Sequence, residues 1–124
     1  MSRQALIREA DRVFSLYIRN RGARFGYNYC FTCGAYLPVE DLQCGHFRPR
    51  RYMATRWHEF NCWPQCSRCN VDLGGNLKIY EEKLASAYSQ DAVDGIYQLS
   101  YSYSKIREHE LKEIIKKYKK HLIN

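Results

Sequence analysis

The sequence predicts an α+β fold: a small zinc-stapled core with flanking α-helices. Three observations predict it. Two Cys-x-x-Cys pairs, Cys30–Cys33 and Cys66–Cys69, stand in a stretch without helical periodicity. Apolar residues recur at three- and four-residue spacing before that stretch and again after it. Between the pairs lie short apolar pieces bounded by proline and glycine, the pattern of short strands.

Each element can be justified in order. Residues 3–19 read as an amphipathic helix, with Leu6, Ala10, Val13, Phe14 and Tyr17 on one face. Arg3, Arg8, Arg12 and Arg19 fall mostly off that face, as solvated arginines of a scaffold helix would. Gly22 and Gly26 end the segment. Residues 27–65 read as a zinc knuckle and then a β-hairpin, with strands near 42–47 and 58–63 joined by a basic loop. A helix begins over 66–72 and is interrupted at Gly74-Gly75. It resumes near Leu77 and runs to about Tyr88, with Leu77, Tyr80, Leu84 and Tyr88 on one face. Asp91 is the expected N-cap of a short helix reaching Leu99. Ser104 is the expected cap of a last helix with the stripe Leu111, Ile114, Ile115, Tyr118 and Leu122. The expected organisation is one domain over 1–124: an N-terminal helix (1–26), a zinc-bound core (27–88) and C-terminal helices (89–124).

Composition narrows the function. No run approaches the roughly 18–20 apolar residues that span a membrane, and Met1 to Ala10 carry Arg3, Arg8 and Glu9 where a secretory signal would be apolar. The expected location is the cytoplasm. There, six cysteines point to metal or free thiols instead of disulfides. The net charge of +7 gathers in the first 29 residues, in Arg48 to Arg56 and in Lys112 to Lys120. A polyanionic partner, nucleic acid first, fits that excess, and no membrane partner is expected. Solvated helix faces are the plainer explanation of the same charge.

Cys30, Cys33, Cys66 and Cys69 are the expected ligands of a structural Zn²⁺. Two residues between thiolates let both reach one ion, and Gly34 suits the turn behind the first pair. Cys44 and Cys62 read as buried small apolar residues, with a rearranged ligand set using Cys62 and Cys66 as the competitor. Among the four histidines, His46 lies between the pairs on an expected strand, beside Gly45, which would admit another backbone or a phosphate closely. A neutral imidazole is a suitable base for phosphodiester hydrolysis at cellular pH. Asn70 directly follows a zinc cysteine, so its amide oxygen could reach a hard divalent ion. Asn61, placed on the return strand, could position the hairpin loop or orient the imidazole.

These residues carry a resemblance. Cys-x-x-Cys, Gly-His, an Asn five before a second Cys-x-x-Cys, and then Asn is similar to the HNH (ββα-metal, treble-clef-like) endonuclease superfamily. Gly45-His46-Phe47, Arg50-Arg51-Tyr52, Thr55-Arg56-Trp57, Asn61, Gln65-Cys66, Cys69-Asn70 and Gly75-Asn76 resemble the core of the phage lambda NinG (Rap) recombination protein family, over roughly 28–84. The resemblance implies a structure-selective DNA endonuclease acting on branched recombination intermediates, D-loops or Holliday junctions. It implies a zinc-stapled fold and a catalytic Mg²⁺ or Mn²⁺ site, with His46 as general base, Asn70 as metal ligand and Asn61 as the middle Asn of the motif. A phage origin would make the location the host-cell cytoplasm.

Many HNH enzymes have Asp directly before the histidine, where this chain has Gly45, and the third motif position is Asn70, not His. The catalytic ion would then lean on water and phosphate, with Asp41 and Asp72 as nearby carboxylates and Asp72 preferred. Arg48, Arg50, Arg51 and Arg56 would grip phosphate beside His46, Arg56 being the chosen transition-state cation. Lys116, Lys117 and Lys120 could extend the DNA contact or merely complement a helix C-terminus. The alternative function is a non-catalytic, zinc-stabilised nucleic-acid-binding recombination accessory module, which has no need of His46. Cutting paired on two strands would call for a homodimer.

Overall fold

Ser2 opens the first helix by accepting a hydrogen bond at its hydroxyl from Ala5 N, and α1 then runs Arg3–Asn20. Its face of Leu6, Ala10, Val13, Phe14 and Ile18 is buried, the stripe the sequence predicts with Ile18 in place of the half-buried Tyr17. The computed structural model describes residues 1–102 and 105–122. After α1 come β1 (Tyr27–Tyr29), β2 (Tyr36–Pro38), β3 (Leu42–His46), α2 (Met53–Arg56), β4 (Cys62–Cys66), α3 (Leu77–Ala87), α4 (Gln90–Ser100) and α5 (Glu108–Lys120). Short 3-10 turns cover Val39–Asp41 and Glu59–Asn61, and a wide π turn covers Arg68–Asp72.

The strands form two antiparallel pairs, β1 with β2 and β3 with β4. The first pair lies inside the expected zinc knuckle, where the sequence analysis placed no strands. In the second, Leu42 faces Cys66 and His46 faces Cys62. The return strand is thus 62–66, four residues later than expected, because residues 59–61 turn and Pro64 does not stop the strand. The Pro64 carbonyl accepts from Phe31 N at 2.8 Å, so its backbone points away from β3 and no ladder N–H is needed there.

This hairpin lies between two helical layers. On one face Val13, Phe14 and Ile18 of α1 meet Cys62 and Tyr118, and α5 packs further along α1 through Leu111 against Leu6 and Ala10. On the other, Phe47 packs with Tyr80, Leu84, Val93 and Ile96 of α3 and α4. Truncating a ring such as Phe14 or Phe47 to Ala would cost about 3–5 kcal/mol. Glu59 ties the first layer together, accepting from Tyr17 Oη at 3.0 Å and Tyr118 Oη at 2.8 Å.

The later helices depart from expectation at their edges. In α3 only Tyr80 and Leu84 are buried, while Leu77 and Tyr88 are exposed. Ser89, not Asp91, caps α4, and Asp91 sits in its first turn, where it complements the helix dipole. Ser104 lies outside the described residues. The last helix opens at Glu108, where Arg107 N donates to Glu110 Oε2 at 2.9 Å. Leu122 falls beyond α5 and is exposed. Among the described residues no helix is long and apolar enough to cross a membrane.

Candidate functional site

The β3–β4 hairpin carries chemistry at both ends. At the Leu42–Cys66 end, the Sγ atoms of Cys30, Cys33, Cys66 and Cys69 all lie within 4.8 Å of one another. Cys33 and Cys66 are 3.7 Å apart. A tetrahedron with Zn–S bonds of about 2.3 Å has S···S edges of about 3.8 Å, so this cluster could hold zinc. The surrounding donors suit thiolate: Thr32 Oγ1 is 3.4 Å from Cys30, Cys69 N is 3.5 Å from Cys66 and Asn76 Nδ2 is 3.7 Å from Cys69. Cys62 belongs to the other end of β4, facing His46, so the competing set with Cys62 is excluded.

Gly45 serves a different purpose from the one expected. A Cβ there would lie 2.0 Å from Gln65 Oε1 and 2.5 Å from Gln65 Cδ, so the close approach is by a side chain, not a phosphate. The fully buried Gln65 donates to Thr32 Oγ1 at 3.1 Å and to Gly75 O at 2.9 Å, linking the hairpin to both cysteine turns. Tyr80 Oη fixes the same spot by donating to Gly45 O at 2.7 Å.

His46, at the other end, lines an open cavity of about 660 Å³ that extends along β3 to Leu42, with Asn70, Gln43, Cys44, Glu40, Pro49 and Arg50, and with Asp11, Ser15 and Arg19 of α1. Its Nε2 is 2.9 Å from Arg56 O. A carbonyl can only accept, so Nε2 carries the proton and the neutral ring keeps its lone pair on Nδ1. Burial is the main cause that holds its pKa below the ordinary 6.5, and the Arg50 and Arg56 charges push the same way against the Arg56 carbonyl and Asp11. The ring is therefore neutral at pH 7, as a base must be.

Asn70 shares the cavity. Its Nδ2 donates to Gln43 Oε1 at 2.7 Å, which leaves the carbonyl oxygen as the half of the amide available to a ligand. Asn61 is elsewhere: it is fully buried, ends the 3-10 turn before β4 and does not line the cavity. Its Oδ1 accepts from Arg48 N at 2.7 Å, and its Nδ2 donates to Arg48 O at 3.0 Å and Thr55 O at 3.1 Å. It is a clasp between the basic loop and α2. Asp41 and Asp72 are exposed and do not line the cavity; Glu40 and Asp11 are the carboxylates that do.

The arginines divide. Arg48 turns into α4, its guanidinium 4.5 Å from the Tyr52 ring, 4.6 Å from Tyr97 and 5.0 Å from Tyr101, while Nε donates to Ser100 Oγ. Arg56 grips Asp11 with both arms of its fork, and Trp57 Nε1 donates to the same carboxylate at 3.0 Å. Each of these two expected phosphate ligands thus has a partner inside the protein. Arg50 and Arg51 remain exposed, Arg50 on the cavity wall. Lys116, Lys117 and Lys120 line a separate hollow with Glu113 and His121, and Lys117 reaches Glu59 at 3.7 Å.

Asp11, Ser15 and Arg19 are the wall residues that sequence reasoning missed. Their signal was a polar i, i+4, i+8 row along α1, beside the apolar stripe.

Together these features define a small mixed α+β protein with a four-cysteine cluster that could hold zinc and a histidine in the cavity along β3. Residues 1–124 match the family model described as Bacteriophage Lambda NinG protein, and the chain belongs to the NinG family. It is 33% identical to protein ninG of Escherichia phage lambda over 91 residues, 73% of this chain and 43% of that one. The ninG proteins of Escherichia phage 933W and Enterobacteria phage VT2-Sa are each 32% identical over the same coverage. The chain thus spans less than half the length of the curated relatives it matches. No solved structure matches it.

Proposed function

We propose that the protein is a metal-dependent DNA endonuclease of the HNH type that hydrolyses phosphodiester bonds in branched recombination intermediates. One observation supports the reading: His46, oriented by the Arg56 carbonyl, lines the same cavity as Asn70, Arg50 and Arg19. His46 takes a proton from water at Nδ1, and the Arg56 carbonyl holds the ring in the tautomer that permits it. Arg50 and Arg51 supply phosphate contacts, and Arg19 a further cation from α1.

The oxygen donors of the cavity fit a hard ion. Asn70 and Glu40 would hold Mg²⁺ or Mn²⁺, with water and substrate phosphate completing the shell. Such an ion supplies charge stabilisation at the phosphoryl and leaving oxygens. Asp11 is spent on Arg56 and Trp57, so it serves the loop instead.

The test compares a four-way junction with linear duplex in Mg²⁺ or Mn²⁺. His46→Ala is expected to lower junction cleavage by about 10²–10⁴-fold while zinc content and junction binding persist. Undiminished cleavage would remove the base. Binding without cleavage by the unaltered protein would leave the accessory module.

A further inference from the structure

We infer that Cys44, His46 and Cys62 form a second metal site, one for Zn²⁺ or a similar thiophilic divalent ion. The two Sγ atoms and a ring nitrogen of His46 lie within 4.8 Å of one another. That spacing follows from the register. Cys44 and His46 are two apart on β3 and share a face, and Cys62 stands directly across from His46 on β4.

The ligand set is complete in the features a built site needs. Two thiolates and one imidazole match the charge of a divalent ion and leave a fourth position for water, the three-ligand pattern of an open zinc site. The imidazole is already oriented by a backbone carbonyl, its Nε2 lying 2.9 Å from Arg56 O, the kind of contact that fixes a metal-binding histidine when the other nitrogen takes the ion. Cys62 is fully buried and has only long contacts, 3.8 Å to Arg56 O and 3.9 Å to Asn61 Nδ2, so no strong partner competes for its sulfur. Entry is through the cavity, whose wall includes both Cys44 and His46.

The site is separate from the four-cysteine cluster, which occupies the far end of the same hairpin. It shares His46 with the proposed base. An ion bound there occupies the lone pair that would accept the proton of water, so excess zinc switches cleavage off. That consequence rests on the nuclease reading; the site itself does not.

The test titrates reduced protein anaerobically with Co²⁺ and with Zn²⁺. Thiolate-to-cobalt absorption is expected to saturate at two equivalents, and in Cys44→Ser at one. The four-cysteine ion reports that the variant is folded. The second equivalent should bind at least about 100-fold more weakly without Cys44, since even outer-shell partners are worth 10–100-fold. Should Cys44→Ser fail to keep the first ion, His46→Asn is read in the same way. One equivalent in the unaltered protein, or two in a folded variant, overturns the site. For the consequence, micromolar Zn²⁺ should inhibit junction cleavage by the unaltered protein and spare Cys44→Ser. Two equivalents in a protein that never cuts DNA would keep the site and overturn the nuclease reading instead.

Discussion

The two ends of the β3–β4 hairpin are built from different forces. The Cys66 end is held by four sulfurs, three of them buried, whose neighbours are mostly apolar or donate to thiolate. The His46 end is held by neutral hydrogen bonds and the ion pairs of Asp11: Asn61 to the loop backbone, His46 to Arg56 O, and Asp11 to Arg56 and, at 3.7 Å, to Arg50. A metal cluster fixes a fold through one large binding free energy. A polar network fixes a few side chains through many small ones, and can be opened without unfolding what lies beyond it.

The largest effect that would sharpen the contrast is at the sulfur end. Cys66→Ser is expected to release zinc and abolish cooperative unfolding, because structural zinc sites contribute about 10–16 kcal/mol of binding free energy to folding. Zinc content by mass spectrometry and a thermal melt check it. A folded variant that still binds one zinc at the four-cysteine cluster would show that three sulfurs suffice, and that this end is no more demanding than the other.

Asn61→Ala attacks the polar end alone. It strips the Arg48 backbone and the Thr55 carbonyl of their partner, and with one to three kcal/mol for each buried group left bare the cost is about 3 kcal/mol. Zinc content should stay at the unaltered level while loop amides exchange faster and junction cleavage falls. Loss of zinc in this variant would mean that the ends are not independent, and would erase the distinction between them.

The sequence made one end far more legible than the other. Cys-x-x-Cys spacing is set by the ion, so Cys30, Cys33, Cys66 and Cys69 could be paired without knowing the strands. Asn61 and His46 were found by their company, but their partners include carbonyls of the short helix α2, which lies where the sequence reads only as a basic loop. The return strand was misplaced because proline reads as a breaker, and only the outward bond to Phe31 shows why Pro64 is harmless. The internal partners of Arg48 and Arg56 were not legible because nothing local announces Tyr97, Tyr101 or Asp11, which arrive from residues roughly 45–53 positions away and are brought near only by the packing of α1 and α4.

Arg50→Ala gives the smallest expected effect, yet it has a defined sign. His46 serves as a base only when neutral, so cleavage should fall as pH drops through its folded pKa, which lies below 6.5. Burial is the principal cause of that depression, with the Arg50 charge the next contribution of the same direction. Removing that charge raises the imidazole pKa toward its ordinary value, and the acid limb of kcat/KM must move to higher pH. Arg50 is 62% exposed, so the displacement is small and shrinks as salt is added. Lost phosphate binding would lower kcat/KM at every pH and leave the limb where it was. A limb that stays fixed at low salt therefore assigns Arg50 to substrate alone, and a limb that moves assigns it a part in keeping the polar end's histidine uncharged.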